Sequence, residues 1–312
     1  MKEINFIGIG AQKSGTSWIY HRLLELDEFS LPYIKELHYF DRDPKYPSPI
    51  KISKSQLKNR IFEFTFINNA LQEILSALYR RNWHKFLWMC NWHLSTYNDA
   101  WYLSLFNNLS GIRGEITPAY SILEEEDVKK MYALAPNAKI IFIIRNPIER
   151  AWSQFRFHLK NKNQENNEIS EKEIIRFMNH ENQTLRSDYL KTLELYSNIF
   201  PKNNICIAFY DAIIEQPEEL LAQIVNQLGG DISKIQSECN IYSKTNTSKE
   251  RQMPDSVKKH LIKKYRPLIE KLSKIFSGYP KVWEDKLNNT IGSSHLNYPI
   301  ITLDKIDLIN KI

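Results

Sequence analysis

Ile4-Asn5-Phe6-Ile7-Gly8-Ile9-Gly10-Ala11-Gln12-Lys13-Ser14-Gly15-Thr16-Ser17 is the stretch whose reading decides the fold. The apolar run from Ile4 to Ile9 lacks the alternation of a strand with one wet face, so it predicts a strand covered on both faces, as in a parallel sheet. Ile19, Leu23 and Leu26 then recur at helical spacing and predict a helix from Thr16 to Leu26. Between strand and helix, four residues separate Gly10 from Gly15, the glycine spacing of a phosphate-binding loop. Such a turn aims backbone N–H groups and a helix N-terminus at an anion. A nucleotide triphosphatase carries lysine directly after the second glycine; this chain has Thr16 there, and its lysine is Lys13.

The same grammar repeats downstream. Glu124, Glu125 and Glu126 open a helix over Asp127 to Leu134, where acidic groups complement the positive end of the helix dipole. Lys139 to Ile144 reads as a second buried strand, and Asn146-Pro147 as the cap and first turn of another helix. Ile205 to Phe209 reads as a third strand, followed by a helix around Glu218 to Leu228 that stops at Gly229-Gly230. Strands alternating with helices predict an α/β fold with a central, mainly parallel sheet flanked by helices. Ligands of such sheets bind at the carboxyl ends of the strands, which places Gly10, Arg145 and Tyr210 together. The stretch from about 45 to 110 fits poorly and reads as a helical insertion rich in aromatic residues, including Trp83, Trp88, Trp92 and Trp101. Its rings serve either as core packing or as an acceptor platform. We expect one domain over residues 1–312 with this insertion.

Composition narrows the classes. The 312 residues are 42% hydrophobic and 25% charged, enough to bury a large core. Apolar runs such as Ile140 to Ile144 are far shorter than a membrane span, and no charged-then-apolar leader opens the chain. Cys90, Cys206 and Cys239 have no metal-ligand spacing and suit a reducing compartment. The abundance of Asn, Lys and Ile adds to an expectation of a cytoplasmic bacterial protein, with a trimmed Golgi-type catalytic domain as the alternative. Lys249 to Lys274 holds nine Lys or Arg against Glu250, Asp255 and Glu270, which equals the net charge of +6 of the whole chain. Either a solvated basic helix face or an anion-binding segment accounts for it. No nucleic-acid motif accompanies the charge.

Several separated motifs, in matching order, resemble the sulfotransferases that use 3′-phosphoadenosine 5′-phosphosulfate (PAPS), and the carbohydrate-modifying, heparan-sulfate-like branch more than the small-molecule cytosolic one. Gln12 to Ser17 is similar to the family's 5′-phosphosulfate loop, and Ile144-Arg145-Asn146-Pro147 through Trp152-Ser153 to its 3′-phosphate strand and helix. Lys35-Glu36-Leu37-His38-Tyr39-Phe40-Asp41 resembles the segment with the heparan-type catalytic glutamate. Gly114 to Tyr120 resembles the acceptor-side motif, and Ser248-Lys249-Glu250-Arg251 with Pro254 the late basic loop. The resemblance implies donor contacts from Lys13, Ser14, Gly15, Thr16, Ser17, Arg145, Ser153, Lys249 and Arg251, and acceptor contacts from His38 and Glu115. Glu36 would be the catalytic base, Lys13 the cation at the leaving group, with PAPS as donor, PAP as product and no metal. Two positions depart from the pattern. Glu250 stands where glycine is common, and Ile116 where heparan-sulfate enzymes often carry a lysine that a highly sulfated acceptor would use.

The chemistry agrees. Sulfuryl transfer requires in-line alignment of two oxygens and stabilisation of the departing phosphate, and a lysine at the bridging oxygen supplies the latter. An extended segment would set Glu36, His38 and Phe40 on one face. The expected function is sulfuryl transfer from PAPS to a hydroxyl or amine, with a carbohydrate as the acceptor. The rivals are a P-loop kinase or ATPase, opposed by the displaced lysine and by Arg145 where a magnesium-binding Asp is usual, and a non-catalytic nucleotide-binding protein on the same fold.

Overall fold

The computed structural model describes residues 3–48, 54–243, 251–289 and 300–305. Among these, β1 (Phe6–Gly10), β2 (Phe29–Ser30), β3 (Ile112–Ile116), β4 (Lys139–Ile144), β5 (Ile205–Phe209) and β6 (Ile300–Thr302) form one sheet. Its order is β2-β3-β1-β4-β5-β6. All neighbours run parallel except the antiparallel β5–β6 pair. Every residue of β1 is buried, as is every residue of β5, which explains the continuous apolar runs. Lys139–Ile144 and Ile205–Phe209 are strands over the predicted residues.

The helices in chain order are α1 (Thr16–Glu25), α2 (Leu57–Arg60), α3 (Phe64–Tyr79), α4 (Trp83–Leu94), α5 (Asp99–Ser104), α6 (Glu125–Leu134), α7 (Pro147–Asn161), α8 (Glu171–Met178), α9 (Glu181–Leu185) and α10 (Tyr189–Ile199). After β5 come α11 (Tyr210–Glu215), α12 (Pro217–Gln227), α13 (Ile235–Glu238), α14 (Asp255–Ile275) and α15 (Tyr279–Asn288). The Asn146 side chain accepts from the Ile148 N–H and Pro147 occupies the first turn, so α7 starts where the sequence places it. From Asp255 onward the basic window forms α14, which buries Val257, Leu261, Tyr265, Ile269 and Leu272 and leaves Lys258, Lys259, Lys263, Lys271 and Lys274 in solvent. The surplus charge there is a solvated helix face. No described helix is long and apolar enough to cross a membrane.

Helices α2 to α5 fill the aromatic stretch. Trp88 and Trp92 stack with centroids 5.5 Å apart, and Tyr97 and Trp101 lie at 4.3 Å. The Trp88 indole N–H donates to the Leu105 carbonyl at 2.9 Å. These rings are core, whereas Trp83 is 61% exposed. Tyr102 of α5 stacks on Tyr39 at 4.6 Å, so this helical layer braces the segment that carries Glu36 and His38.

Candidate active site

The loop between β1 and α1 is shaped for an anion. Gly15 caps α1 at φ +84°, and a Cβ there would lie 2.2 Å from Ile213 Cδ1, so glycine is required. No acidic residue occupies the first turn of α1. Ser14 is fully buried, and its hydroxyl has no hydrogen-bond partner among the described residues. Thr16 and Ser17 follow as the first helical residues. The Lys13 ammonium lies 4.0 Å from the centroid of the Phe157 ring. Burial, and then the charges of Arg145, Arg156, Lys160 and Lys35, pull its pKa down to about 8. Cations gathered this closely leave a net charge that an anion would neutralise.

Arg145 follows β4 directly. Its Nη1 donates to the Lys13 carbonyl at 3.0 Å and its guanidinium sits 3.9 Å from the Tyr210 ring centroid, which brings the ends of β1, β4 and β5 together as the sheet topology predicts. Arg145 Nε is buried without a partner among the described residues. A cavity of about 390 Å³ opens here, lined by Arg145, Glu149, Trp152, Arg156, Arg251 and Met253 among others. The Trp152 indole N–H donates to the Arg251 carbonyl at 3.1 Å and ties the late basic loop to α7. Ser153, also on α7, is 8% exposed and is not part of that lining. Arg156 was missed in the sequence; its position three residues after Ser153 on one helix was the available signal. Lys249 lies outside the described residues.

The segment 35–41 is not the extended run expected. His38 adopts φ +53°, which breaks the period of two. Phe40 is consequently buried against Tyr102 and Tyr120, while Glu36 and His38 still meet, with His38 Nε2 3.5 Å from the Glu36 carboxylate. On its other side His38 Nδ1 lies 2.7 Å from Asp41, whose carboxylate is buried. Asp41, His38 and Glu36 therefore form a chain, with Asp41 a member that sequence reasoning did not single out. Burial opposes charge on His38, but Asp41 and then Glu36 outweigh it and raise the imidazole to about 9. Burial likewise opposes ionisation of Glu36, yet hydrogen bonds from His38 and Lys35 hold it down at about 2. Lys35 bridges Glu36, at 3.0 Å, to Ser17 of the donor loop, at 2.8 Å. Arg186, also unforeseen, donates to the Gln12 side chain.

The acceptor-side motif is placed differently from expectation. Glu115 is fully buried inside β3 and is held by hydroxyl donors from Tyr102 at 2.6 Å, Thr117 at 2.8 Å and Tyr120 at 3.3 Å. A carboxylate so enclosed presents no surface to an acceptor. Ile116 is 2% exposed and packs over Gly8, where a Cβ would meet it at 2.9 Å. The absence of lysine at this position thus serves sheet packing, not the cleft.

A P-loop-like turn after the first strand, an arginine at the end of a neighbouring parallel strand and the Glu36 carboxylate linked to that turn through Lys35 make up the candidate site. The sulfotransferase domain matches residues 4–294, and the chain belongs to that family. Among solved structures it is similar to a sulfotransferase from Alicyclobacillus acidocaldarius, at TM-score 0.56 and 18% identity, covering 94% of this chain and 98% of that one. It is also similar to the sulfotransferase domain of the curacin biosynthetic pathway (TM-score 0.50, 16% identity, 78% and 79% covered) and that of the Synechococcus PCC 7002 olefin synthase (TM-score 0.50, 14% identity, 95% and 90% covered). No curated protein sequence matches the chain. The fold is the sulfotransferase fold, a mostly parallel sheet flanked by helices.

Proposed function

We propose that the protein transfers a sulfuryl group from PAPS to a hydroxyl or amine, with a carbohydrate as the acceptor. The observation that carries the donor is the cation cluster around Lys13 and Arg145, which adjoins the buried Ser14 hydroxyl, without a partner among the described residues. These groups fit a ligand with phosphate at two ends. The loop from Lys13 to Ser17 would hold the phosphosulfate; Arg145, Arg156 and Arg251 would hold the 3′-phosphate, with Ser153 and Lys249 assigned to it by resemblance alone. The carbohydrate acceptor rests on the likeness of residues 35–41 to the heparan-type segment.

PAPS supplies an activated sulfuryl group with a phosphate leaving group. Lys13 neutralises charge on the departing oxygen. Glu36, 36% exposed in its side chain, accepts the acceptor's proton. A carboxylate at about 2 is a weak base, but the acceptor oxygen becomes strongly acidic as its bond to sulfur forms, so the proton moves late and downhill. His38, charged and held by Asp41, keeps Glu36 ionised and oriented.

Thermal shift in EDTA with adenosine 3′,5′-bisphosphate tests the donor site, with ATP and with ATP plus magnesium run in parallel. Ligand at about 100 times its Kd stabilises the native state by about 2.7 kcal/mol. Stabilisation by the bisphosphate in EDTA is expected. Stabilisation only by ATP with magnesium would replace sulfuryl with phosphoryl transfer. Radiolabel transfer from PAPS to a panel of oligosaccharides and simple alcohols then tests the acceptor.

A further inference from the structure

Two backbone amides flank His38, and both end on the same carboxylate. The Leu37 N–H donates to Thr117 Oγ1 at 3.0 Å, and that hydroxyl donates to Glu115 at 2.8 Å. The Tyr39 N–H donates to the Tyr120 hydroxyl at 3.0 Å, and that hydroxyl reaches both Glu115 oxygens at 3.3 Å. Tyr102 supplies a third hydroxyl at 2.6 Å and stacks on the Tyr39 ring. We propose that Glu115 is a positioning residue for the acceptor-side chemistry, fixing through two hydroxyl relays the turn that presents Glu36 and His38.

The reason is the direction of the bonds. A hydroxyl has one proton to give, and an ionised carboxylate only accepts. In its ionised form, which prevails above about pH 7, Glu115 therefore draws the Thr117 and Tyr120 protons toward itself and leaves oxygen lone pairs facing the two amides. Without them, the amides of Leu37 and Tyr39, both buried residues, would lose their partners, and His38 at φ +53° would lose its restraint. Burial pushes Glu115 up to about 7 against the pull of Tyr102, Thr117 and Tyr120, and the nearby Asp41 charge raises it further. The groups facing His38 are Asp41 and Glu36, with Lys35 on Glu36 and Arg186 coupled to both carboxylates.

This inference rests on the reading that Glu36 and His38 serve the acceptor, and its test does not need the acceptor. Amide exchange at Leu37 and Tyr39 and the His38 imidazole titration are followed by NMR in the wild type, Thr117→Val, Thr117→Ser, Tyr120→Phe and Glu115→Gln, beside the bisphosphate thermal shift. In Thr117→Val the Leu37 amide should exchange at least ten times faster, and His38 should titrate at least one unit lower. Amides of β1 and β4 should keep their protection, the bisphosphate shift should persist, and Thr117→Ser should restore the wild-type values. Unchanged Leu37, Tyr39 and His38 signals in Thr117→Val and Tyr120→Phe would overturn the proposal, as would a His38 shift only with general loss of protection. If Glu115→Gln does not fold, the other two variants decide, each changing a single relay. A bisphosphate that fails to stabilise the wild type counts against the donor reading alone and leaves these signals interpretable.

Discussion

Arg145 donates to the Lys13 carbonyl at 3.0 Å, so the guanidinium at the end of β4 clamps the loop that carries the lysine proposed for the leaving group. Arg145→Ala should weaken adenosine 3′,5′-bisphosphate binding about 10- to 100-fold, the range for losing a charge-assisted hydrogen bond of about 1.5–3 kcal/mol. Arg145→Lys should recover only part, because lysine lacks the planar fork and the stack on Tyr210. Titration calorimetry at fixed salt checks this, and affinities within twofold of wild type would remove Arg145 from the site.

Lys13 sets an upper pH limit. With its pKa drawn down to about 8, the free site loses this cation as pH rises past that value. An anion bound beside it favours the charged form, so binding above about pH 8 takes up a proton and the affinity falls as pH rises. Once the ligand phosphates are fully ionised, near pH 7, bisphosphate affinity should level off and then drop by up to about tenfold per unit above 8. In Lys13→Met the overall affinity should be lower and that decline absent. A wild-type profile flat to pH 10 would contradict the assignment.

Glu36→Gln keeps the shape of the side chain and removes its basicity. Donor binding should be retained within a few-fold while turnover falls about 10²- to 10⁴-fold, the span of general-base contributions. Parallel loss of donor binding would mean that the substitution disturbs Lys35 and Ser17, to which Glu36 is linked. Full turnover would exclude Glu36 as the base.

Glu115 makes stability depend on pH in an unusual direction. Its folded pKa of about 7 lies above the ordinary carboxylate value of 4.5, so the native state binds more protons than the unfolded state between these limits. Stability from this group is present at low pH and is lost as pH rises through that window, by about 3 kcal/mol in total. Urea unfolding at pH 5 and pH 7 should show a difference between wild type and Glu115→Gln that changes by about 2 kcal/mol between the two, the share of the total that falls in this interval. Glu36, already ionised throughout, contributes nothing to that difference. A constant offset would place the Glu115 proton elsewhere.

The strands that build the donor side were legible because β1, β4 and β5 are covered on both faces and carry unbroken apolar runs. The loop from Gly10 to Ser17 was legible because its glycine positions are a local requirement of backbone geometry. The acceptor side was not, because its geometry depends on contacts between segments far apart in the chain. His38 leaves the extended conformation because Thr117 and Tyr120, some 80 residues away, hold the amides on either side of it. Glu115 reads as a polar residue in a motif and turns out to be sealed by Tyr102 from the helical stretch. Asp41 gives no sign of its partnership with His38 until the turn is formed. Arg156 and Arg186 become visible only when α7 and α9 are packed against the loop after β1.

The loop and Arg145 hang from adjacent parallel strands whose pairing runs Gly8 to Ile141 and, after a one-residue register shift, Gly10 to Phe142, then continues as the Ala11 N–H donates to the Ile143 carbonyl at 2.9 Å. The gap between the loop and Arg145 is therefore a ruler marked in backbone units, about 3.3 Å per residue along a strand and 4.8 Å between strands. Substituting side chains cannot recalibrate it. Only a slip of β4 against β1 could, and a one-residue slip would turn Arg145 to the opposite face of the sheet. The length of ligand that the proposed donor site would accept is thus written in the hydrogen-bond ladder, while the surface around Glu36 is free to change one side chain at a time.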